Sequence, residues 1–521
     1  MHILFLLLLL TSLTSSTTHD DDSIQSSTVA DQYTTYPYPP SSSNPSDPST
    51  VLLRQFPSLA PPLILQAPSH LSAIGHHVFN GKIDWCSAVK ILVAGGGTGE
   101  KTLQIVRQLV DSKSQSNWKV THLDLSPVSV TKAKERIVSA FGVTILESVK
   151  FVVGSILDAY DLLPYQQFDY IDCLGVLHTL KSPHLGLMAL GRLLKNDGAI
   201  GVMVYAPIGR HGIYNMQSMM QQLLDDKEKT MTATQYHLNL TRRMLKNLPE
   251  TNPLKQNDWR WKKLKNSIDH ATRDSSLVDL FLPAHDVPMY VDDVYKLARS
   301  AGMHLHKFVH SAQYKLETYV HDKILLKGLK YRLKTKRQEE MFVEKWTGNM
   351  FHHFSYIVKG TYSAVKPLKT TFSWSTDLDM IPIPLRFDGK KLSRALKNLS
   401  YFPWNIHNLQ VYFRLPTSIY GESDAIENVL KFIDGQRTIR VIRELSGLEE
   451  EDFAHVFGSM YEILEGQGKL FLSQYPVVGL ENLTAKELET RETLYPGMPR
   501  NGYHYYDCEK KTGGKGEGGE L

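Results

Sequence analysis

From Val89 onward, short apolar runs alternate with amphipathic stretches, and this alternation sets the expected fold. Val89–Ala94 (VKILVA) is apolar at nearly every position and β-branched-rich, as in a strand buried on both faces. Glu100–Val110 then places Leu103, Val106, Leu109 and Val110 at helical spacing. The pattern repeats as strand Lys119–Leu125, helix Pro127–Phe141, strand Val149–Val153 and strand Phe168–Leu174. Helix His184–Leu194 stops near Asn196-Asp197-Gly198, and Ala199–Tyr205 is a further strand. Strict strand–helix alternation predicts a parallel sheet with right-handed crossovers. Helical spacing over Val291–Ala301, alternation over Met303–His310 and the run Phe351–Val358 add a helix and two strands, bringing the α/β sheet to seven strands. Two insertions, 209–290 and 311–348, interrupt it. Insertions this long between framework elements are usually functional, and here they are expected to form a lid over the carboxyl edge of the sheet.

The framework occupies 61–360, and beyond it the pattern changes. Ala425–Phe432, Thr438–Leu445 and Glu449–Glu465 read as helices, with Lys469–Ser473 as a strand. Residues 361–509 are therefore expected to form a smaller α+β, winged-helix-like module. The long helix opens on Glu449-Glu450-Glu451-Asp452, which disfavours DNA and points to substrate docking or dimerisation. At the other end, Ile3–Leu10 is an apolar run too short for a membrane span, so residues 1–16 read as a signal peptide. That places the protein in the secretory pathway if the signal acts, and in the cytoplasm otherwise. Residues 17–60 are rich in Ser, Thr and Pro and are expected to be a disordered arm. Within it, DQYTTYPYPP offers two readings: a solvated extended segment, or an arm laying Tyr33, Tyr36 and Tyr38 onto the folded domain. The tail 510–521 is low-complexity and expected to be disordered.

Composition narrows the class. Hydrophobic residues make up 42% of the 521 and charged residues 21%, which excludes a polytopic membrane protein and a wholly disordered chain. A net charge of +4 argues against a dedicated nucleic-acid binder. Three cysteines (Cys86, Cys173, Cys508) cannot build a disulfide framework, so packing is expected to hold the fold.

The chemistry centres on Gly95-Gly96-Gly97-Thr98-Gly99, between a buried strand and a helix, where the backbone can approach a ligand beside the helix's positive end. Asp124 follows at the end of the next strand, positioned to accept ribose hydroxyls. A dinucleotide fingerprint needs a third small residue, but the candidate positions are Glu100 and Thr102, so a nicotinamide cofactor is disfavoured. The G-x-G-x-G of Gly95, Gly97 and Gly99 resembles that of class I S-adenosylmethionine-dependent methyltransferases. HLDLS, VVGSILD, FDYIDCLGVLHTL and LLKNDGAIGVMVYAP resemble their later motifs. Tyr36–Pro39 and Met203–Tyr214 resemble a bacterial-type subgroup with a Y-P-Y-P arm. By this resemblance the cofactor is S-adenosyl-L-methionine. Gly95–Gly99 would hold its methionine end, Asp124 the ribose and Ser155-Ile156 the adenine edge. Cys173 and Leu174 would pass beneath the sulfonium. Val93 and Ser155 stand where the family often has acidic residues.

Methyl transfer needs alignment of the acceptor and exclusion of water more than acid–base chemistry. His178, after the fourth strand, is a candidate base or a structural residue. Arg210 could hold an anionic acceptor or form a structural ion pair, and Tyr214 lies on the same glycine-flanked loop. Tyr205 could line the donor pocket or belong to the core. His304, His306, His310, His352 and His353 prompt a metal check, but no ligand-spaced motif accompanies them, and no metal is expected. Lys323–Arg337 is basic with interleaved apolar residues: a solvated lid face or a weak anionic surface contact, with Gly328 weakening a continuous helix. The acceptor is expected to be a small molecule or a protein side chain. The rival functional reading is a binding or regulatory protein that keeps the fold without turnover.

Overall fold

The computed structural model describes residues 28–39, 69–110, 117–164, 167–224, 232–256, 274–320, 322–360, 373–384, 402–406, 409–413, 423–475, 477–479 and 504–506. The proposed signal peptide, most of the arm, Cys508 and the tail lie outside the described residues.

Seven strands form one sheet: β1 Lys90–Ala94, β2 Lys119–Asp124, β3 Val149–Val153, β4 Phe168–Leu174, β5 Leu194–Tyr205, β6 Met303–Phe308 and β7 His352–Lys359. Their order is β3-β2-β1-β4-β5-β7-β6, and β7 is antiparallel to both its neighbours. Two-residue alternation divides the core. Leu92, Ala94, Ile171 and Cys173 pack on one face of the sheet, and Ile91, Val93 and Tyr170 on the other. Strand β5 begins earlier than the sequence pattern suggested. Pairing with β4 jumps from Phe168–Leu194 to Tyr170–Ala199, so Asn196-Asp197-Gly198 is a bulge inside the strand rather than a linker before it.

Both insertions are helical. The first contains His211–Leu223, Gln235–Asn247, Pro253–Gln256 and Asp274–Phe281, packed on their own core of Ile213, Met216, Leu238, Leu277 and Phe281. In the second, Lys323–Arg332 runs through Gly328, which has open space around it. The break falls instead between Arg332 and Lys336, where Thr335 caps the next helix, Lys336–Thr347, in a capping box with Gln338. Leu326, Leu329 and Leu333 pack against the main core, while Ile324 and Tyr331 stay 86% and 71% exposed.

The arm is not wholly disordered: residues 28–35 are helical and 36–39 turn onto the sheet edge. Helices Ser423–Leu430, Ile439–Ser446 and Glu450–Gly466 share a separate core, and strand Leu470–Ser473 pairs antiparallel with Ile381–Pro384. A buried ionic cluster ties this unit to the sheet. Lys307 of β6 pairs with Glu465, and Tyr461 O–H lies 3.1 Å from His76 Nε2. His76 Nδ1 accepts the Leu472 N–H at 3.2 Å. Packing is not the sole constraint, since Cys86 is disulfide-bonded; Cys173 is a free, buried thiol. Among the described residues no helix is long and apolar enough to cross a membrane.

Candidate active site at the carboxyl edge of the sheet

The glycine loop leaves β1 with positive φ at Gly95 (69°), Gly97 (53°) and Gly99 (88°), a backbone that side chains resist. Space is equally restrictive. A Cβ on Gly95 would lie 2.4 Å from Val176 Cγ2, and one on Gly97 would lie 2.5 Å from the Tyr38 carbonyl oxygen. Asp124 ends β2 directly beside this loop. Its Oδ2 accepts the Gly97 N–H at 2.7 Å and its Oδ1 the Ser126 N–H at 2.9 Å. Burial raises its pKa, and those two N–H groups oppose the rise. Each oxygen keeps acceptor capacity beyond the bond it makes, so the carboxylate suits a diol. Beneath the loop, the sequence pattern gave no warning of His122. It is fully buried and 2.8 Å from Thr102 Oγ1, and burial pushes its pKa down to about 4.

The third and fourth candidate regions close the same edge. Ser155 Oγ accepts the Leu157 N–H at 3.1 Å, turning the chain after β3, and Ile156 is buried in the core. The Cys173 side chain also faces the core, where burial raises its pKa, so only its backbone is available to a ligand above the sheet. Leu174 is half-buried at the strand end.

The arm covers the loop. Thr98 donates its Oγ1–H to the Pro39 carbonyl at 2.6 Å and its N–H to the Tyr38 carbonyl at 3.3 Å. Tyr33 O–H donates to Asp279 Oδ1 at 3.2 Å, and Tyr36 O–H to the Ala233 carbonyl at 2.8 Å. Gln32 Oε1 accepts the Ala284 N–H at 2.6 Å. Of the two sequence readings of this segment, the structure has the arm bridging the glycine loop and the first insertion.

His178, Arg210 and Tyr214 come together around Tyr205, at the end of β5. The His178 ring centre is 4.2 Å from that of Tyr205, and the Arg210 guanidinium carbon is 3.5 Å from it. Tyr214 O–H is 3.5 Å from Asp286 Oδ1, whose other oxygen accepts from Gln217 at 3.3 Å. Burial, then the charge of Arg210, pushes the His178 pKa down to about 3, so its ring is neutral. Asp279 is pushed up to about 6 by burial, against the pull of Arg210. Asp279 and Asp286 went unnoticed in the sequence because they sit in an insertion with no motif.

The histidines of the metal check are dispersed. His353 bonds Glu344 and Tyr314, each at 2.9 Å, and His306 bonds the His77 carbonyl at 3.0 Å. His76, His77 and Glu465 do cluster within 4.8 Å. Lys307 Nζ already pairs with Glu465 there and lies 3.3 Å from His77 Nδ1, so a cation holds that position.

PKMT2 from Rickettsia typhi, solved in complex with AdoHcy, has a similar fold. That structure covers 81% of this chain and 78% of its own, at 17% identity and a TM-score of 0.56. The chain has the class I methyltransferase fold. A second PKMT2 structure matches over the same shares with a TM-score of 0.55. Residues 92–200, from β1 into β5, match the family model described as a methyltransferase domain. An uncharacterized protein of Synechococcus sp., syc1184_c, is 26% identical over 214 residues, which is 41% of this chain. The match spans about half of that relative, 47% of its length.

Proposed function

We propose that the protein transfers the methyl group of S-adenosylmethionine to a small-molecule acceptor enclosed between the arm and the first insertion. The observation that carries this reading is the Gly95–Gly99 loop with the Asp124 carboxylate beside it, in a chain whose matched domain is a methyltransferase domain. The AdoHcy bound by PKMT2, the demethylated product of that donor, supports the choice of cofactor. S-adenosylmethionine supplies an electrophilic methyl on a good leaving group. The protein's own part is to align and enclose. Asp124 holds the ribose diol, the loop backbone approaches the amino-acid end, and Ser155-Ile156 flank the adenine. The acceptor lies toward Tyr205, Tyr214 and His178, where arm and insertion exclude water.

A small acceptor is favoured over a protein side chain because Tyr33 and Tyr36 fasten the arm across that edge. His178, with a pKa near 3, is poorly matched as a general base and serves to shape the pocket. Asp279, near 6, is the better matched proton acceptor for an acceptor group that must lose a proton.

Calorimetric titration of the full chain with S-adenosylmethionine, S-adenosylhomocysteine and NADH, repeated with Asp124→Ala, tests the reading. Binding of both adenosyl ligands but not NADH, weakened by the substitution, is the expected result. A folded protein that binds neither adenosyl ligand would refute it. Binding without transfer to any acceptor in a labelled-donor screen would favour a regulatory protein, in keeping with Val93 and Ser155 at positions where the family often has acids.

A further inference from the structure

Arg210 carries an unmade pair of hydrogen bonds. It follows β5 on the Ile208–His211 turn and is 5% exposed, with its guanidinium carbon 3.5 Å from the Tyr205 ring centre and 5.8 Å from that of Tyr214. Its Nε and Nη2 are both buried and have no hydrogen-bond partner among the described residues. These two N–H groups lie along one edge of the guanidinium plane, the edge that matches both oxygens of a carboxylate. Buried charged donors are rarely left unpaired, and each exception needs an explanation. The nearby acids do not provide one: Asp279 accepts from Tyr33, and Asp286 from Gln217. His178 Nδ1, on the same Tyr205 ring, is also buried and has no partner among the described residues. Unpartnered polar atoms thus gather around one tyrosine at the edge where the acceptor and the donor's amino-acid end would meet.

We propose that Arg210 is the receptor for a ligand carboxylate, gripped through Nε and Nη2. The proposal rests on the methyltransferase reading and deepens it. The ligand group is planar with two acceptor oxygens side by side, as the carboxylate is, to match the two parallel N–H groups of that edge. Two sources share this chemistry: the amino-acid end of the adenosyl donor, and a carboxylate on the acceptor.

Calorimetry on the full chain separates them, comparing wild type with Arg210→Gln. The probes are S-adenosylhomocysteine, 5′-methylthioadenosine (the same nucleoside and sulfur without a carboxylate), and acetate and glycine titrated with and without S-adenosylhomocysteine. If the donor is the source, the substitution weakens S-adenosylhomocysteine at least about tenfold and leaves 5′-methylthioadenosine unchanged. If the acceptor is the source, both adenosyl ligands are unchanged, and wild type binds acetate or glycine while the variant does not. Arg210→Lys keeps the charge but loses the fork, so it should recover only part of the affinity; it also serves where the glutamine variant fails to fold. Equal binding of every probe by wild type and variants would overturn the proposal and leave Arg210 as packing for Tyr205. If wild type binds neither adenosyl ligand, the methyltransferase reading fails, and the acetate and glycine titrations alone still decide the carboxylate receptor.

Discussion

Replacing Tyr33 with phenylalanine removes one hydroxyl from the arm and leaves its ring in place. That hydroxyl donates to Asp279 Oδ1 at 3.2 Å, beyond the usual range for an O–H···O bond. The bond therefore belongs at the low end for a charged acceptor, about 1.5 kcal/mol. Six other bonds would still hold the arm: Tyr36 to Ala233, Ala284 to Gln32, Thr34 to Ser126, Ser126 to the Tyr33 carbonyl, and two from Thr98 to Tyr38 and Pro39. A loss of about 1.5 kcal/mol makes arm opening roughly tenfold more frequent. The readout is the Thr98 amide, whose N–H bonds the Tyr38 carbonyl and exchanges only when the arm lifts. Hydrogen–deuterium exchange of the Tyr33→Phe chain should speed up about tenfold there, with the amides of β1 and β4 unaffected. Asp279 has its pKa raised to about 6, so its carboxylate is charged above that pH; the difference should be full at pH 8 and shrink below 6. An unchanged rate at Thr98 would show that Tyr33 does not hold the arm. A uniform rise across the sheet would show global destabilisation and equally refute the reasoning.

Gly97→Ala should lift the arm outright, since its Cβ would lie 2.5 Å from the Tyr38 carbonyl at a φ of 53°; Thr98 exchange should then match that of a chain lacking residues 28–39. Lys307→Met leaves the buried Glu465 without its charged partner, with only the neutral His76 and His77 rings 3.7 and 3.6 Å away, and should cost about 3–5 kcal/mol in urea unfolding at pH 8, while Lys307→Met with Glu465→Met recovers most of it. A single variant as stable as wild type would contradict the buried pair. Burial depresses His178 to about 3 from an ordinary 6.5. Its contribution to stability is therefore full above about pH 6.5 and falls away as pH drops toward 3. His178→Gln should flatten the loss of thermal stability between pH 6.5 and 4, and an unaltered acid profile would contradict a buried neutral ring.

The sheet was legible because its information is local. Val89–Ala94, Lys119–Leu125 and Phe168–Leu174 each carry the strand signal within a few residues, and Gly95–Gly99 marks the loop by composition alone. Asp124 followed from its place at a strand end. What escaped was set by contacts far apart in sequence. Asp279 matters because Tyr33, 246 residues away, donates to it. The β5 bulge depends on pairing with β4, so Asn196-Asp197-Gly198 read as a stop signal when seen alone. Gly328 looked like a helix breaker, yet Leu326, Leu329 and Leu333 packing inward outweigh its propensity. Cys173 lies on β4 as the pattern predicts, but its side-chain direction depends on which face of the sheet β4 turns toward the core.

In the proposed complex, an adenosyl ligand sits on the Gly95–Gly99 loop with its ribose on Asp124. A crystal structure of the full chain with S-adenosylhomocysteine tests it most directly. The expected density has both ribose hydroxyls on the Asp124 carboxylate, the homocysteine end over the glycine loop and residues 28–39 closed above it. Ligand density elsewhere, or a ribose held by another residue with Asp124 still bonded only to Gly97 and Ser126, would contradict it.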